Sequence, residues 1–238
     1  MASPLFAVLL GSGGGPATIT GLYTDVKTSA AGTASTDFTT CNLGVSSASQ
    51  VIVVCVACYR GATDLTDTAT CTVGGVTATK QTSQIVAPGY TELAAIYTVT
   101  GVTGSSVTIN ITTNVGGQKA IAVYTMQGAS GITAAAVAGD TETTGSAVLT
   151  TTLTHTAGSF VVALGALMAY NNPTDFGNNT WAGLSTKDVD VEVESGNMYN
   201  FTSASQAFSA SASNVTTSVT TPHTAGYGMA FACAAFSA

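Results

Sequence analysis

Charge is nearly missing from this chain. Of 238 residues, five are Lys or Arg and twelve are Asp or Glu, 7% in all, and from Ser195 to Ala238 there is none. The stretch from Thr143 to Thr174 is equally bare. A free-standing soluble domain carries about a quarter of its residues as charged side chains. Here the surface has to be made of hydroxyls, amides and small apolar groups, which lack the dispersed charge that keeps monomers apart. The composition therefore predicts one part of a larger assembly, with a homo-oligomer expected; a trimer is compatible with this but does not follow from the composition.

Basic clusters, long apolar runs and nucleotide or nucleophile motifs are also missing. Lys27, Arg60, Lys80, Lys119 and Lys187 lie far apart in a chain of net charge −7, whereas phosphate binding needs several converging cations; no nucleic-acid partner is expected. The longest apolar run, Phe160 to Tyr170, is half the roughly 20 residues a membrane helix needs, so no membrane partner is expected either. Residues 1–16 combine an apolar stretch without a preceding positive region and the run Gly11-Ser12-Gly13-Gly14-Gly15. They read as a flexible N-terminal arm and linker rather than a leader. That run lacks the Gly-Lys-Ser/Thr of a phosphate loop. No Gly-x-Ser-x-Gly elbow occurs, and a Ser-His-Asp triad would have to use His155 or His223, both read as loop or edge residues. No enzyme is expected.

Cysteine is sparse and odd in number: Cys41, Cys55, Cys58, Cys71 and Cys233. On a strand Cys55 and Cys58 point to opposite faces, which argues against a redox or zinc pair. Buried reduced thiols are the expected state, fitting assembly in a reducing cytosol. A bridge from Cys41 or Cys55 to Cys71, or a bond between subunits, is the alternative.

What the chain has in abundance is Thr, at 42 copies, which with Val and Ile favours pleated structure because branching at Cβ suits strands. Short Val-, Ile-, Thr-, Tyr- and Phe-rich stretches separated by turn residues give about a dozen strands. The expected fold is all-β, a jelly-roll-like or related antiparallel β-sandwich, with residues 17–238 as a single domain. Val51 to Tyr59 and Phe160 to Tyr170 are apolar on both faces and should lie mid-sheet, covered on each side. Met229, Phe231 and Cys233 should face inward together. Gly74-Gly75 suits a two-residue hairpin, and Gly116-Gly117 is a second candidate.

The run from Lys187 to Glu194 alternates, placing Asp188, Asp190, Glu192 and Glu194 on one strand face and three valines on the other. A solvated outer face is the plain reading; the sharper one is a Ca²⁺ site formed by the four carboxylates, the only cofactor the sequence hints at. Glycan hydrolysis would need a carboxylate pair from Glu92, Asp140, Glu142, Glu192 and Glu194, and no spacing singles one out. Trp181, Tyr170 and Tyr199, with Phe176 nearby, are candidates for an aromatic sugar platform, set against Trp181 as a core or interface residue.

Several pieces taken in order carry a resemblance: Thr72-Val73-Gly74-Gly75-Val76-Thr77-Ala78-Thr79; Ala95-Ile96-Tyr97 leading to Thr100-Gly101-Val102-Thr103-Gly104; Ala120-Ile121-Ala122-Val123-Tyr124 closing on Gly128; and Thr180-Trp181-Ala182-Gly183-Leu184. From about Phe38 to Phe236 the chain resembles Thr- and Ala-rich β proteins encoded among the virion genes of tailed phages and gene-transfer-agent-like elements. The resemblance implies a particle protein and carries over no catalytic residue. It leads to the expectation of a capsid decoration, cement or head-fibre protein on the phage surface, assembled in the host bacterial cytoplasm, with the major capsid protein or other virion proteins as partners. A tail-fibre glycan-binding module is the alternative, and a polysaccharide-degrading enzyme a third reading.

Overall fold

The computed structural model describes residues 18–44, 47, 49–60, 65–86, 91–143, 147–169, 178–193, 199–222 and 225–238. These form seventeen strands, with no helix among the described residues. In chain order they are β1 (Thr20–Ser29), β2 (Ser35–Asn42), β3 (Val51–Arg60), β4 (Thr70–Val73), β5 (Val76–Thr77), β6 (Thr79–Val86), β7 (Thr91–Val99), β8 (Ser106–Thr112) and β9 (Gln118–Gln127). The second half of the chain adds β10 (Ala136–Glu142), β11 (Val148–His155), β12 (Phe160–Ala169), β13 (Thr180–Ala182), β14 (Thr186–Glu192), β15 (Tyr199–Ala207), β16 (Ala212–Thr220) and β17 (Ala225–Phe236).

All pairings are antiparallel, and they build four sheets: β1-β9-β3-β7-β6, β2-β8-β4-β5, β10-β17-β12-β15-β14 and β11-β16-β13. The third and fourth sheets repeat the connectivity of the first and second. Counting strands from β1 and again from β10, and taking β5 and β6 together as the fifth strand, both halves order their inner sheet 1-8-3-6-5 and their outer sheet 2-7-4. That is jelly-roll connectivity, with the fifth strand carried to the inner-sheet edge. In the first half β5 still pairs with β4 before the chain crosses to β6. The single sandwich expected over residues 17–238 is thus resolved into two tandem repeats.

The sheets stack as four layers, with three apolar slabs between them. Strand alternation decides which slab each residue enters. Along β3, Ile52, Val54, Val56 and Cys58 pack under the first outer sheet, while Val53, Cys55, Ala57 and Tyr59 face the other repeat. Along β12, Val161, Ala163 and Leu167 pack under the second outer sheet, while Val162, Leu164, Ala166 and Met168 face the first repeat. Both continuous apolar strands therefore sit mid-sheet and are covered on each side. Met229, Phe231 and Cys233 share one slab, as their alternation predicts. The central slab is a seam between repeats, and small residues such as Ala94, Ala120, Ala122, Ala230, Ala232 and Ala234 let its two sheets approach.

Gly74 and Gly75 turn between β4 and β5 with φ of 57° and 81°, as a two-residue hairpin requires. Gly116-Gly117 does something else. Neither has positive φ; a Cβ at Gly116 would overlap the Gly32 carbonyl and one at Gly117 that of Tyr59, so these glycines admit close backbone approach rather than a turn. The N-terminal arm, residues 1–16, lies outside the described residues.

Candidate functional site

The acidic strand does not present one carboxylate face. The β14–β15 ladder shifts register between Lys187 and Val189, so Asp188 is a bulge residue that turns toward the first repeat, where it accepts a hydrogen bond from the Tyr124 hydroxyl at 3.0 Å. Burial pushes its carboxyl upward. Asp190 instead pairs with Lys187 at 2.9 Å and accepts from Asn179 Nδ2 at 2.6 Å and Asn200 Nδ2. Glu192 ends the strand, and Glu194 lies outside the described residues. Asp188 and Asp190 thus serve different neighbours, and no group of three or more His, Cys, Asp or Glu gathers among the described residues. A bulge redirects one side chain and breaks the alternation on which the shared-face expectation rested.

The aromatic platform is not assembled either. Trp181 packs in the slab beneath the second outer sheet, 5.8 Å from Phe231 between ring centres, and its indole N–H donates to Thr202 Oγ1 at 3.0 Å. Tyr199 lies in the seam, stacked 4.9 Å from Tyr59. The two rings occupy opposite faces of one sheet, and Tyr170 and Phe176 lie outside the described residues. Of the two aromatics described, both are packing residues.

The carboxylates considered for glycan hydrolysis are also dispersed. Asp140 on β10 accepts the backbone N–H groups of Thr141 and Thr150, each at 2.8 Å, and Glu142 accepts that of Thr143. Glu92 is wholly buried in the seam, neither oxygen has a hydrogen-bond partner on another residue among the described residues, and burial pushes its carboxyl up to about 8. Its burial favours the protonated, uncharged form. His155 is buried against Phe208, with ring centres 3.9 Å apart, and His223 lies outside the described residues. His155 thus ends β11, an edge strand of its sheet, as a packed side chain: an edge residue, as expected, and not a loop residue.

All five thiols are free and buried, so neither bridge to Cys71 is formed. Cys55 and Cys58 do enter opposite slabs. Burial raises every thiol, Cys41 to about 11 and Cys58, Cys71 and Cys233 to about 12, so none is a thiolate nucleophile at neutral pH. Lys119 is also withdrawn from the surface: its ammonium donates to the carbonyls of Thr33 and Gly117, and burial lowers its pKa. With Glu92 and Lys119 inside, the exterior is even less ionised than the composition indicates.

Two surface features remain. The first is the outer face of the β11-β16-β13 sheet. Its strands contain no Lys, Arg, Asp or Glu, and cross-strand pairs Thr150–Ser218 and Thr152–Thr216 form an uncharged hydroxyl ladder beside the exposed Val148. The second is a cleft of about 360 Å³ where β1 meets β14 and β15, walled by Leu22, Tyr23 and Phe160 and floored by Asp188 and Ser205. The charge-free stretches Thr143 to Thr174 and Ser195 to Ala238 already pointed to an uncharged sheet surface that engages a partner; the cleft was missed, because it depends on which strands become neighbours.

No protein-family model matches the chain, and no curated protein sequence matches it.

Proposed function

We propose that this protein is a structural component of a tailed-phage particle, a decoration, cement or head-fibre protein whose role is adhesion between subunits. The observation that carries the reading is the charge-free Thr and Ser ladder on the outer β11-β16-β13 sheet. An exposed sheet without Lys at its edges invites a neighbouring surface, and hydroxyls there are readily desolvated because no ion has to be stripped of water. The jelly-roll connectivity is shared with viral capsid and lectin domains, and this fold-level analogy supports the reading. Binding to the assembled shell would stabilise that state by mass action.

The test is incorporation. Mass spectrometry of purified particles should find the chain, and cryo-electron density should place it on the head. Thr152→Lys with Thr216→Lys should leave the isolated protein folded and abolish incorporation. Absence from particles, or incorporation unaffected by the two lysines, overturns the reading.

A further inference from the structure

The two repeats carry the same bulge in the same place, filled by chemically different groups. On β6 the ladder skips Gln81, between Lys80 and Thr82; on β14 it skips Asp188, between Lys187 and Val189. Gln81 is neutral, and its amide is used within the chain: Nε2 donates to Thr98 Oγ1 at 2.7 Å, and Oε1 accepts the backbone N–H of Ala134 at 2.7 Å. Asp188 brings a carboxylate to the matching position. Two hydroxyls donate to it, that of Tyr124 at 3.0 Å and that of Ser205. A carboxylate has about four acceptor sites, so about two remain.

No cation answers this charge. Among the described residues Asp25, Asp67 and Asp190 each have a lysine, Lys27, Lys80 and Lys187, whereas none pairs with Asp188. Asp188 is half-buried, and burial disfavours an ionised carboxylate that lacks a counter-ion. It lines the cleft of about 360 Å³, whose other walls are apolar: Leu22 and Tyr23 from β1, Phe160 from β12 and Ala207 from β15. Thr186 and Ser205 add hydroxyls beside the carboxylate. One carboxylate is too little for Ca²⁺, which takes about six to eight oxygens. It suits an ammonium on an apolar stem, whose nitrogen carries three donors and whose methylenes lie along apolar walls. The aromatic rings of Tyr23 and Phe160 add attraction for a cation.

We propose that this cleft is a cation-binding site that takes a lysine side chain of a neighbouring protein, its ammonium on Asp188 and its methylenes against Leu22 and Phe160. Charge complementarity favours this occupant, since the chain has a net charge of −7 and holds an unanswered carboxylate here. The rim favours a lysine carried by a protein over a free amine. Leu22 is 55% exposed, the most of any large apolar residue described, and gains from the apolar surface around an incoming side chain. The cleft is built from β1, β12, β14 and β15, none of which belongs to the sheet that carries the hydroxyl ladder, so it is a second and separate contact. The source of the lysine rests on the reading of the protein as part of an assembly; the chemistry of the cleft does not.

Titration of the full-length protein with n-butylammonium, followed by NMR, tests the site. The Tyr23 ring and Asp188 carboxyl resonances should shift saturably, and n-butanol, the neutral counterpart, should bind at least about ten-fold more weakly. Rising salt should weaken the amine and spare the alcohol. Asp188→Asn, which keeps the size and an acceptor for Tyr124, should remove the preference for the amine; the comparison of amine with alcohol on the wild type stands by itself if that variant fails to fold. Equal binding of the two, shifts away from the cleft, or a preference that survives Asp188→Asn overturns the site. In purified particles a carbodiimide should join Asp188 to a lysine of a neighbouring protein. Amine binding without that cross-link overturns the lysine as occupant and assigns the cleft to a free amine, whereas absence of the chain from particles fails the role in the particle and not the site.

Discussion

The two repeats share a connectivity but divide the seam between them unequally. At matching ladder positions the first places Tyr59, Glu92 and Tyr124 where the second has Met168, Tyr199 and Ala234. The polar reach across the seam comes from the first: Tyr59 donates to the Asn200 carbonyl at 2.6 Å, and the Tyr124 hydroxyl donates to Asp188 at 3.0 Å while sharing a 2.8 Å hydrogen bond with the Ser203 hydroxyl. The second contributes acceptors and small side chains. Two identical chains meeting about a two-fold axis would have to repeat each residue on both sides. One chain carrying both halves is free of that constraint, so each face can specialise.

That asymmetry is sharpest at Glu92. Its folded pKa of about 8 lies above its ordinary 4.5, so the unfolded chain ionises first. Stability therefore falls as pH rises from about 4.5 to about 8 and levels off above, by a total on the order of 4 kcal/mol for this group. Urea midpoints of the wild type and Glu92→Gln should diverge over that window, the variant gaining on the wild type. Parallel curves would mean that Glu92 is not closed off in the seam. A smaller contrast comes from the glycine that lies just past the fourth strand in each repeat, Gly75 and Gly183, both at φ 81°. Gly75 faces open space, so Gly75→Ala should cost about 1–2 kcal/mol for the left-handed backbone alone. At Gly183 a Cβ would also overlap the Thr216 carbonyl, so Gly183→Ala should cost about 3 kcal/mol or more. Equal melting temperatures for the two would break the comparison. Smallest is Tyr124→Phe, expected to cost about 1–2 kcal/mol. Because the Tyr124 bond lowers the Asp188 pKa, the NMR titration of Asp188 should move upward in this variant, which a merely packed ring would not produce.

Much of the fold was legible before any neighbour was known. Val51 to Tyr59 and Phe160 to Tyr170 read as mid-sheet strands, because alternation sends apolar side chains to both faces and both need cover, with Gly165 and Val161-Val162 weighing against a helix in the second. Gly74-Gly75 announced its hairpin. β2, β10 and the three-residue β13 were not anticipated: Asp37 and Asn42, or Gly139 and Asp140, weaken the local strand signal, and pairing with β8, β17 and β16 supplies what propensity does not. The internal repeat was also missed, although one signal was present. Thr72-Val73-Gly74-Gly75 leading to Thr79-Lys80 parallels Thr180-Trp181-Ala182-Gly183 leading to Thr186-Lys187.

By itself the amino-acid order determined the all-β class, the two double-faced central strands and a thinly ionised exterior, since each derives from backbone preference or composition. Tertiary structure alone decided that there are two stacked sandwiches, that Asp188 leaves its acidic neighbours for Tyr124, and that Trp181 and Tyr199 part to opposite faces. Those outcomes depend on register, and a single bulged residue reverses the face of every later residue in its strand; no local pattern records which strand lies across the seam.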